Sequence, residues 1–283
     1  MHILSARSTT RLAALAAVVT LCTSLASAQS ARDRRDDRDR NQRQDNAFNW
    51  AGNLAAGKRA LIKNINGAIH VERSNSGRVE ISAVKQWRRG NPDDVRIEQK
   101  MTSNGDVVVC ALWNEDSRCD ETGIRSEGRH RNSNNNDVSV QFTLRVPDGV
   151  RVDLSTVNGE LDVDGVSNEI RANTVNGSIN ARSAGGPVRA TTVNGSIHVA
   201  MGSLGSADDL EYETVNGSVT IELPSNFGAQ IDMSTVNGRV STDFPITVSG
   251  TLSPRRLRGT VGNGSTRMRI STVNGSITLR KRN

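Results

Sequence analysis

The side chains able to do acid–base chemistry are few and scattered. Four histidines occur, at positions 2, 70, 130 and 198. A Ser-His-Asp triad needs a histidine held between a hydroxyl and a carboxylate, and none of the four has a credible partner for that role. His70 and His198 each fall four residues after the Asn of an Asn-Gly pair, an outward strand position, and read as solvated. Asp162-Val163-Asp164-Gly165 hints at calcium, but a full calcium loop and the glycine-rich nonapeptide of calcium-binding β-rolls are both missing. No glycine-rich phosphate loop follows a strand and opens a helix. Asn-Gly-Ser at 176, 194, 216, 263 and 274 has the form of a glycosylation acceptor, yet its spacing marks most copies as corner motifs. No cofactor, metal or catalytic residue is expected.

Thiol chemistry is more informative. Cys22 lies in an apolar N-terminal segment, which leaves Cys110 and Cys119. An even pair in an oxidising compartment usually closes a disulfide. A metal pair is the alternative reading, but neither a CxxC spacing nor a companion histidine cluster accompanies it.

The elements that must carry these residues follow from an internal repeat. The pattern around Asn158-Gly159 recurs at Asn176-Gly177, Asn194-Gly195, Asn216-Gly217, Asn237-Gly238 and Asn274-Gly275, with an early copy at Asn66-Gly67. From Asn158 onward the copies are 18 to 22 residues apart, except for a gap of 37 before the last. That gap is about two periods, so a degenerate turn is expected inside it; Asn263-Gly264 lies there with flanks that do not fit.

Apolar residues recur at offsets −6, −4, −1, +3 and +5 from each Asn. Alternation on both sides of Asn-Gly predicts two short strands with one face buried. Asn-Gly between them predicts a sharp corner with backbone at positive φ. A two-residue hairpin is one solution. A solenoid, with equivalent residues stacked from coil to coil, is the other. The −1 residue is Val in six copies and Ile in the first; a hairpin would put it on the polar face. We therefore expect an all-β, parallel β-solenoid of 18–22-residue coils with the −1 Val facing inward. On that reading Val193→Asp unfolds the chain and Ser196→Asp does not.

The rest of the chain sorts by composition. Arg7 and Arg11, the run Leu12–Leu21 and Ala26-Ser27-Ala28 form a secretory signal peptide over 1–28. No second long apolar run follows. Residues 29–46 mix arginine and aspartate with almost nothing apolar, which predicts a disordered linker. The alternating acids nearly cancel its field, which argues against nucleic acid. Residues 47–147 read as a less regular β region holding the early repeat and a cap, with strands near Val79–Val84, Asp106–Cys110 and Val138–Val146. Residues 124–137 read as a mobile polar loop. Trp50, Trp87 and Trp113 all fall in this region and are expected to cover the open end of the solenoid. Residues 148–283 are the repeat array. Aromatics make up only 3% of the chain, unlike a conventional enzyme core.

TVNGSI at 174–179, 192–197 and 272–277 and TVNGSV at 214–219 carry a resemblance. So do Val146-Pro147-Asp148-Gly149 before the first main repeat, Ala68–Val71 after the early Asn-Gly, and Leu223-Pro224 after a late coil. Over about residues 58–280 the chain resembles the bacterial putative-adhesin family, a domain family of unknown function built from β-strand repeats. The resemblance implies surface adhesion and supplies no catalytic residue.

These readings converge on an exported, non-enzymatic binding or scaffold protein of the bacterial envelope or surface. Its expected partners are envelope or surface polymers such as glycans and anionic groups, or proteins. The alternative is a periplasmic structural or stress-associated protein; a polysaccharide-active β-helix enzyme fits less well, because the outward rows hold no converging carboxylates. The chain's net charge is +6. Arg255, Arg256 and Arg258, with Arg280-Lys281-Arg282, are the basic clusters best placed for anionic partners. Alkylation of the exported protein without reduction should label neither Cys110 nor Cys119; two labelled thiols would refute the disulfide.

Overall fold

The computed structural model describes residues 47–126, 136–203, 209–249 and 253–282. The signal peptide expected over 1–28, the linker expected over 29–46, His130 and most of the polar loop expected over 124–137 lie outside these residues. Strands form where apolar and polar residues alternate, so that one face can be buried. In chain order they are β1 (Ala47–Gly52), β2 (Arg59–Lys63), β3 (Ile69–Arg73), β4 (Val79–Gln86), β5 (Arg96–Met101), β6 (Val107–Leu112), β7 (Ser117–Asp120) and β8 (Gly123–Ser126). They continue as β9 (Ser139–Val146), β10 (Arg151–Ser155), β11 (Leu161–Val166), β12 (Ile170–Asn173), β13 (Ile179–Ser183), β14 (Val188–Thr191) and β15 (Ile197–Met201). The last are β16 (Asp209–Asn216), β17 (Val219–Pro224), β18 (Ala229–Asn237), β19 (Val240–Thr242), β20 (Thr247–Val248), β21 (Arg256–Val261), β22 (Thr266–Asn274) and β23 (Ile277–Arg282).

Two long sheets hold most of them. The first runs β1-β4-β9-β3-β11-β13-β15-β17-β23-β19; the second runs β20-β21-β18-β22-β16-β14-β12-β10-β2-β6-β5. Each coil contributes the strand before its Asn-Gly to the second sheet and the strand after it to the first. Neighbouring coils pair parallel and in register: Ile170 faces Val188 across β12 and β14, and Ile179 faces Ile197 across β13 and β15. The all-β parallel solenoid is therefore the fold, and the hairpin alternative is excluded. The −6 and −4 columns of one sheet meet the +3 and +5 columns of the other in a single core. Within that core Ala172 and Ala190 make room in the column that holds the fully buried Tyr212.

The corners differ from the sequence reading in two respects. The −1 residues are not inside: Val157, Val175, Val193, Val215, Val236 and Val273 are all exposed. The inward residue is the −2 threonine. Thr156, Thr174, Thr192, Thr214, Thr235 and Thr272 are buried, and the Thr192 hydroxyl donates to the Gly177 carbonyl one coil away at 2.9 Å. Thr174, Thr214 and Thr272 make the same bond at 2.9–3.0 Å. The strand simply continues its alternation, so −6, −4 and −2 share the inner face and −1 points out. A buried hydroxyl is tolerated there because a carbonyl is within reach.

The second correction concerns glycine. Of the seven corner glycines only Gly67 has a positive φ, at 121°, so chain reversal is not what the others provide. They allow close approach. A Cβ on Gly195 would lie 2.0 Å from the Gly177 carbonyl oxygen, and one on Gly177 would lie 1.9 Å from that of Gly159. Backbone of one coil occupies the space a side chain would need on the next. The asparagines, freed of any left-handed role, form a ladder. Asn158 Nδ2 donates to Asn66 Oδ1 at 2.7 Å, and the chain of bonds runs on through Asn176, Asn194, Asn216 and Asn274 to Asn237.

That ladder shows an order of coils that the sequence does not. The Asn274 coil sits between the Asn216 and Asn237 coils, because β22 pairs with β16 on one side and β18 on the other. The 37-residue gap therefore holds no extra turn. It holds β21, which runs antiparallel along the outer side of β18, β20, which pairs antiparallel with β21, and the return path to β22. At the opposite end the Asn66 coil lies between β10–β11 and the later strands β6 and β9. There β5 pairs antiparallel with β6 and β4 with β9. Trp50 and Trp113 pack against the core near this end, whereas Trp87 is 41% exposed.

Gly195→Ala should cost at least ~3 kcal/mol in urea unfolding, since backbone must move to admit the methyl. Val193→Asp should leave a folded chain, because Val193 is at the surface. The reverse ranking would refute the corner geometry.

Candidate functional site

The outer face of the second sheet carries the densest chemistry. Its −5 row faces solvent because −6 and −4 are turned inward. In spatial order the row reads Asp153, Arg171, Arg189, Glu211, Arg269 and Asp232, with Arg258 of β21 opposite Asp232 at its end. Charges of both signs stand one strand apart and interact across strands. Lys63 Nζ reaches Asp153 at 2.9 Å. Glu169, two residues before Arg171, gathers Arg171 at 3.0 Å, Arg151 at 3.5 Å and also Arg189. Burial raises the Glu169 carboxyl, but the hydrogen bond from Arg171 and the three guanidinium charges outweigh it and hold its pKa below the ordinary value. Asp232 pairs with Arg256 and Arg258.

Toward the C-terminal half the same face hollows into a groove of about 680 Å³. Arg189, Arg258, Arg267 and Arg269 line it, with Asp209, Glu211 and Asp232 between them. Arg267 reaches Asp209 at 3.4 Å. Among the described residues neither the Arg269 nor the Glu211 side chain closes an ion pair or hydrogen bond, although the two stand opposite each other on β22 and β16. This arrangement can hold an extended polar or anionic chain. Among the described residues it brings no nucleophile against a base.

The +4 row of the other sheet holds the histidines. It reads His70, Asp162, Asn180, His198, Thr220, Thr278 and Ser241 in space. His70 Nδ1 lies 3.0 Å from Asp162 Oδ2, and His198 Nε2 lies 3.3 Å from Glu222 Oε1. Both imidazoles are about half exposed, as their outward positions require. Two strands separate them. Among the described residues no group of three His, Cys, Asp or Glu side chains could hold a metal ion.

Cys110 and Cys119 are joined by a disulfide. The bond links β6 to the antiparallel pair β7–β8, which packs over the outer face of the second sheet. Leu61, Val108, Cys110, Leu112 and Cys119 form a small second core beneath it. Every residue of β6 is buried as a result. Ile124–Ser126, expected in a mobile loop, belong to β8.

Of the two basic clusters, only Arg258 reaches the groove. Arg280, Lys281 and Arg282 lie exposed along β23, with Lys281 Nζ 5.6 Å from the Phe244 ring centre. The sequence places Arg269 in an outward −5 row of alternating sign, a solvated face or salt-bridged ladder, but singles out neither Glu169 nor Arg267, whose neighbours depend on which strands pair. The Thr row had a signal in the unbroken two-residue alternation.

The profile of the Toastrack DUF4097 family matches residues 63–280. The chain belongs to that family. The match covers the Toastrack repeats from the Asn66 coil to the Asn274 coil and agrees with the putative-adhesin resemblance carried by TVNGSI. Among solved structures, a putative cell adhesion protein from Clostridium sporogenes ATCC 15579 aligns at 11% identity and a TM-score of 0.47, covering 83% of this chain and all of that one. A putative adhesin from Bacteroides fragilis NCTC 9343 aligns at 10% identity and a TM-score of 0.37, covering 83% of this chain and 97% of the other. At these scores the likeness carries no functional weight. No curated protein matches. Among the described residues no helix is long and apolar enough to cross a membrane.

A carboxylate with a lowered folded pKa stabilises above its unfolded value and loses that contribution as pH falls through the folded one. Glu169→Gln should therefore cost about 1 kcal/mol at neutral pH. It should also flatten the loss of stability on acidification below pH 4.5, the ordinary value of the group. Equal acid slopes for both proteins, by urea titration across that range, would show that the three arginines do not stabilise this Toastrack domain through Glu169.

Proposed function

We propose that this Toastrack chain is an exported, non-enzymatic binding and scaffold protein of the bacterial envelope or surface, adhesin-like in role. It holds an extended anionic or mixed-charge polymer along the outer face of its second sheet. One observation carries the reading. The groove on that face is lined by four arginines against three carboxylates, and Arg269 stands there without a partner among the described residues. A solenoid supports such a role physically, since its faces are rigid, flat and periodic, and an extended partner can meet the same row of groups on successive coils.

Exposed arginines act through screened charge, so binding should fall as salt shortens the Debye length to ~8 Å and below. An Arg267→Gln, Arg269→Gln double variant of the exported protein should lose about five- to tenfold in retention on isolated envelopes at low salt. Replacing Arg280, Lys281 and Arg282 by Gln should have the smaller effect. Unchanged retention of the groove variant would overturn the proposal. Protease shaving of intact cells separates surface from periplasm. Cleavage before permeabilisation supports the surface role; protection until permeabilisation supports the periplasmic structural alternative.

A further inference from the structure

The chain contains nine Asn-Gly dipeptides, at Asn66, Asn104, Asn158, Asn176, Asn194, Asn216, Asn237, Asn263 and Asn274. Asn-Gly is chemically the least durable amide in proteins, because an unhindered glycine nitrogen can attack the preceding side chain. The fold treats the nine sites unequally. In the stack, the Gly67, Gly159, Gly177, Gly195, Gly217 and Gly275 N–H groups each donate to the Asn carbonyl of the next coil at 2.8–3.0 Å. In tight turns, Gly105 donates to the Thr102 carbonyl at 3.0 Å and Gly264 to that of Val261 at 3.2 Å. Gly238 has no coil above it. Its N–H has no acceptor among the described residues, and it is the one glycine of the nine that is exposed rather than buried or half-buried.

The side chain follows the same logic. The amides of Asn158, Asn176, Asn194, Asn216 and Asn274 are held twice in the ladder, donating through Nδ2 and accepting through Oδ1. Asn237 donates to Asn274 Oδ1 at 2.8 Å, and among the described residues nothing donates to its own Oδ1.

We propose that Asn237 is a site of spontaneous, structure-directed deamidation in the folded protein. Solvent base removes the Gly238 amide proton. The nitrogen attacks Asn237 Cγ and the new N–Cγ bond forms; solvent returns a proton to Nδ2, the Cγ–Nδ2 bond breaks and ammonia leaves. Water then opens the resulting cyclic imide to aspartate or isoaspartate. At the interior corners the same nitrogen is tied into the stack, and attack requires the coils to separate first. The product is a carboxylate at the end of the asparagine ladder, a covalent mark confined to the terminal coil. Deamidation at an exposed corner does not depend on the groove being a binding site.

Incubation of the folded protein in mildly alkaline buffer, followed by acid-pH digestion and mass spectrometry, tests this. The amide-to-acid mass change should accumulate at Asn237 at least about tenfold faster than at Asn176 or Asn194, a difference of ~1.4 kcal/mol in barrier. Asn104 and Asn263 should also lag. In concentrated urea the nine sites should react at similar rates, which separates fold protection from local sequence. Comparable rates across the corners of the folded protein, or an interior corner reacting first, would overturn the assignment.

Discussion

Parallel strands repeat every ~4.8 Å, and at each corner of this solenoid the whole backbone must turn within that spacing. The carbonyl of one corner glycine therefore lies where the next glycine's Cβ would be. Everything else in the stack depends on that approach. It fixes the register of successive coils, and the register places each Thr hydroxyl on a glycine carbonyl and each Asn amide on the Asn before it. The same register lines up the apolar columns into one core and the charged residues into rows. A coil shifted by one residue would lose the ladders and turn its apolar face outward.

The outer face of the second sheet is covered at one end by β7–β8, held there by the Cys110–Cys119 bond. Farther along it carries the Glu169 cluster and then the open groove. A clustered carboxylate inside three guanidinium groups is a local structural device. The groove beyond it is different: Arg267 and Arg258 close on Asp209 and Asp232, while the Arg269 and Glu211 side chains stay unpaired among the described residues. A polar partner would complete what the sheet leaves unmatched.

The ends of the stack are built by insertion. The first repeat in sequence, around Asn66, and the last, around Asn274, both have coils or strands on either side. Edge strands are open to pairing with another chain. Here the outermost positions are taken by antiparallel strands or by short ones: β5 and β4–β1 at one end, β21–β20 and β19 at the other. Insertion also means that neighbours in the stack are not always neighbours in sequence. The nearest-neighbour description of repeat proteins holds from the Asn158 coil to the Asn216 coil and fails beyond it.

Much of this was legible in the residues alone. The period, the two strands per coil and the outward histidines follow from spacing and alternation, which are local properties; the pairing of Cys110 with Cys119 follows from their even number, and the expectation of parallel stacking rested on an inward −1 valine that the structure does not show. The direction of Val193 was legible too, through the parity that puts Thr192 inside, but uniform apolarity was the weaker guide. An exposed valine suits a strand as well as a buried one does, because β-branching favours extended backbone on either face. What only the tertiary structure decided was contact between coils. The need for glycine came from a carbonyl in the adjacent coil and not from its own dihedral angles. The place of the Asn274 coil, and with it the groove around Arg267 and Arg269, came from which edges were open when β22 paired. Such facts are properties of neighbours distant in sequence, and a repeat whose copies are nearly identical cannot say which copy it will lie against.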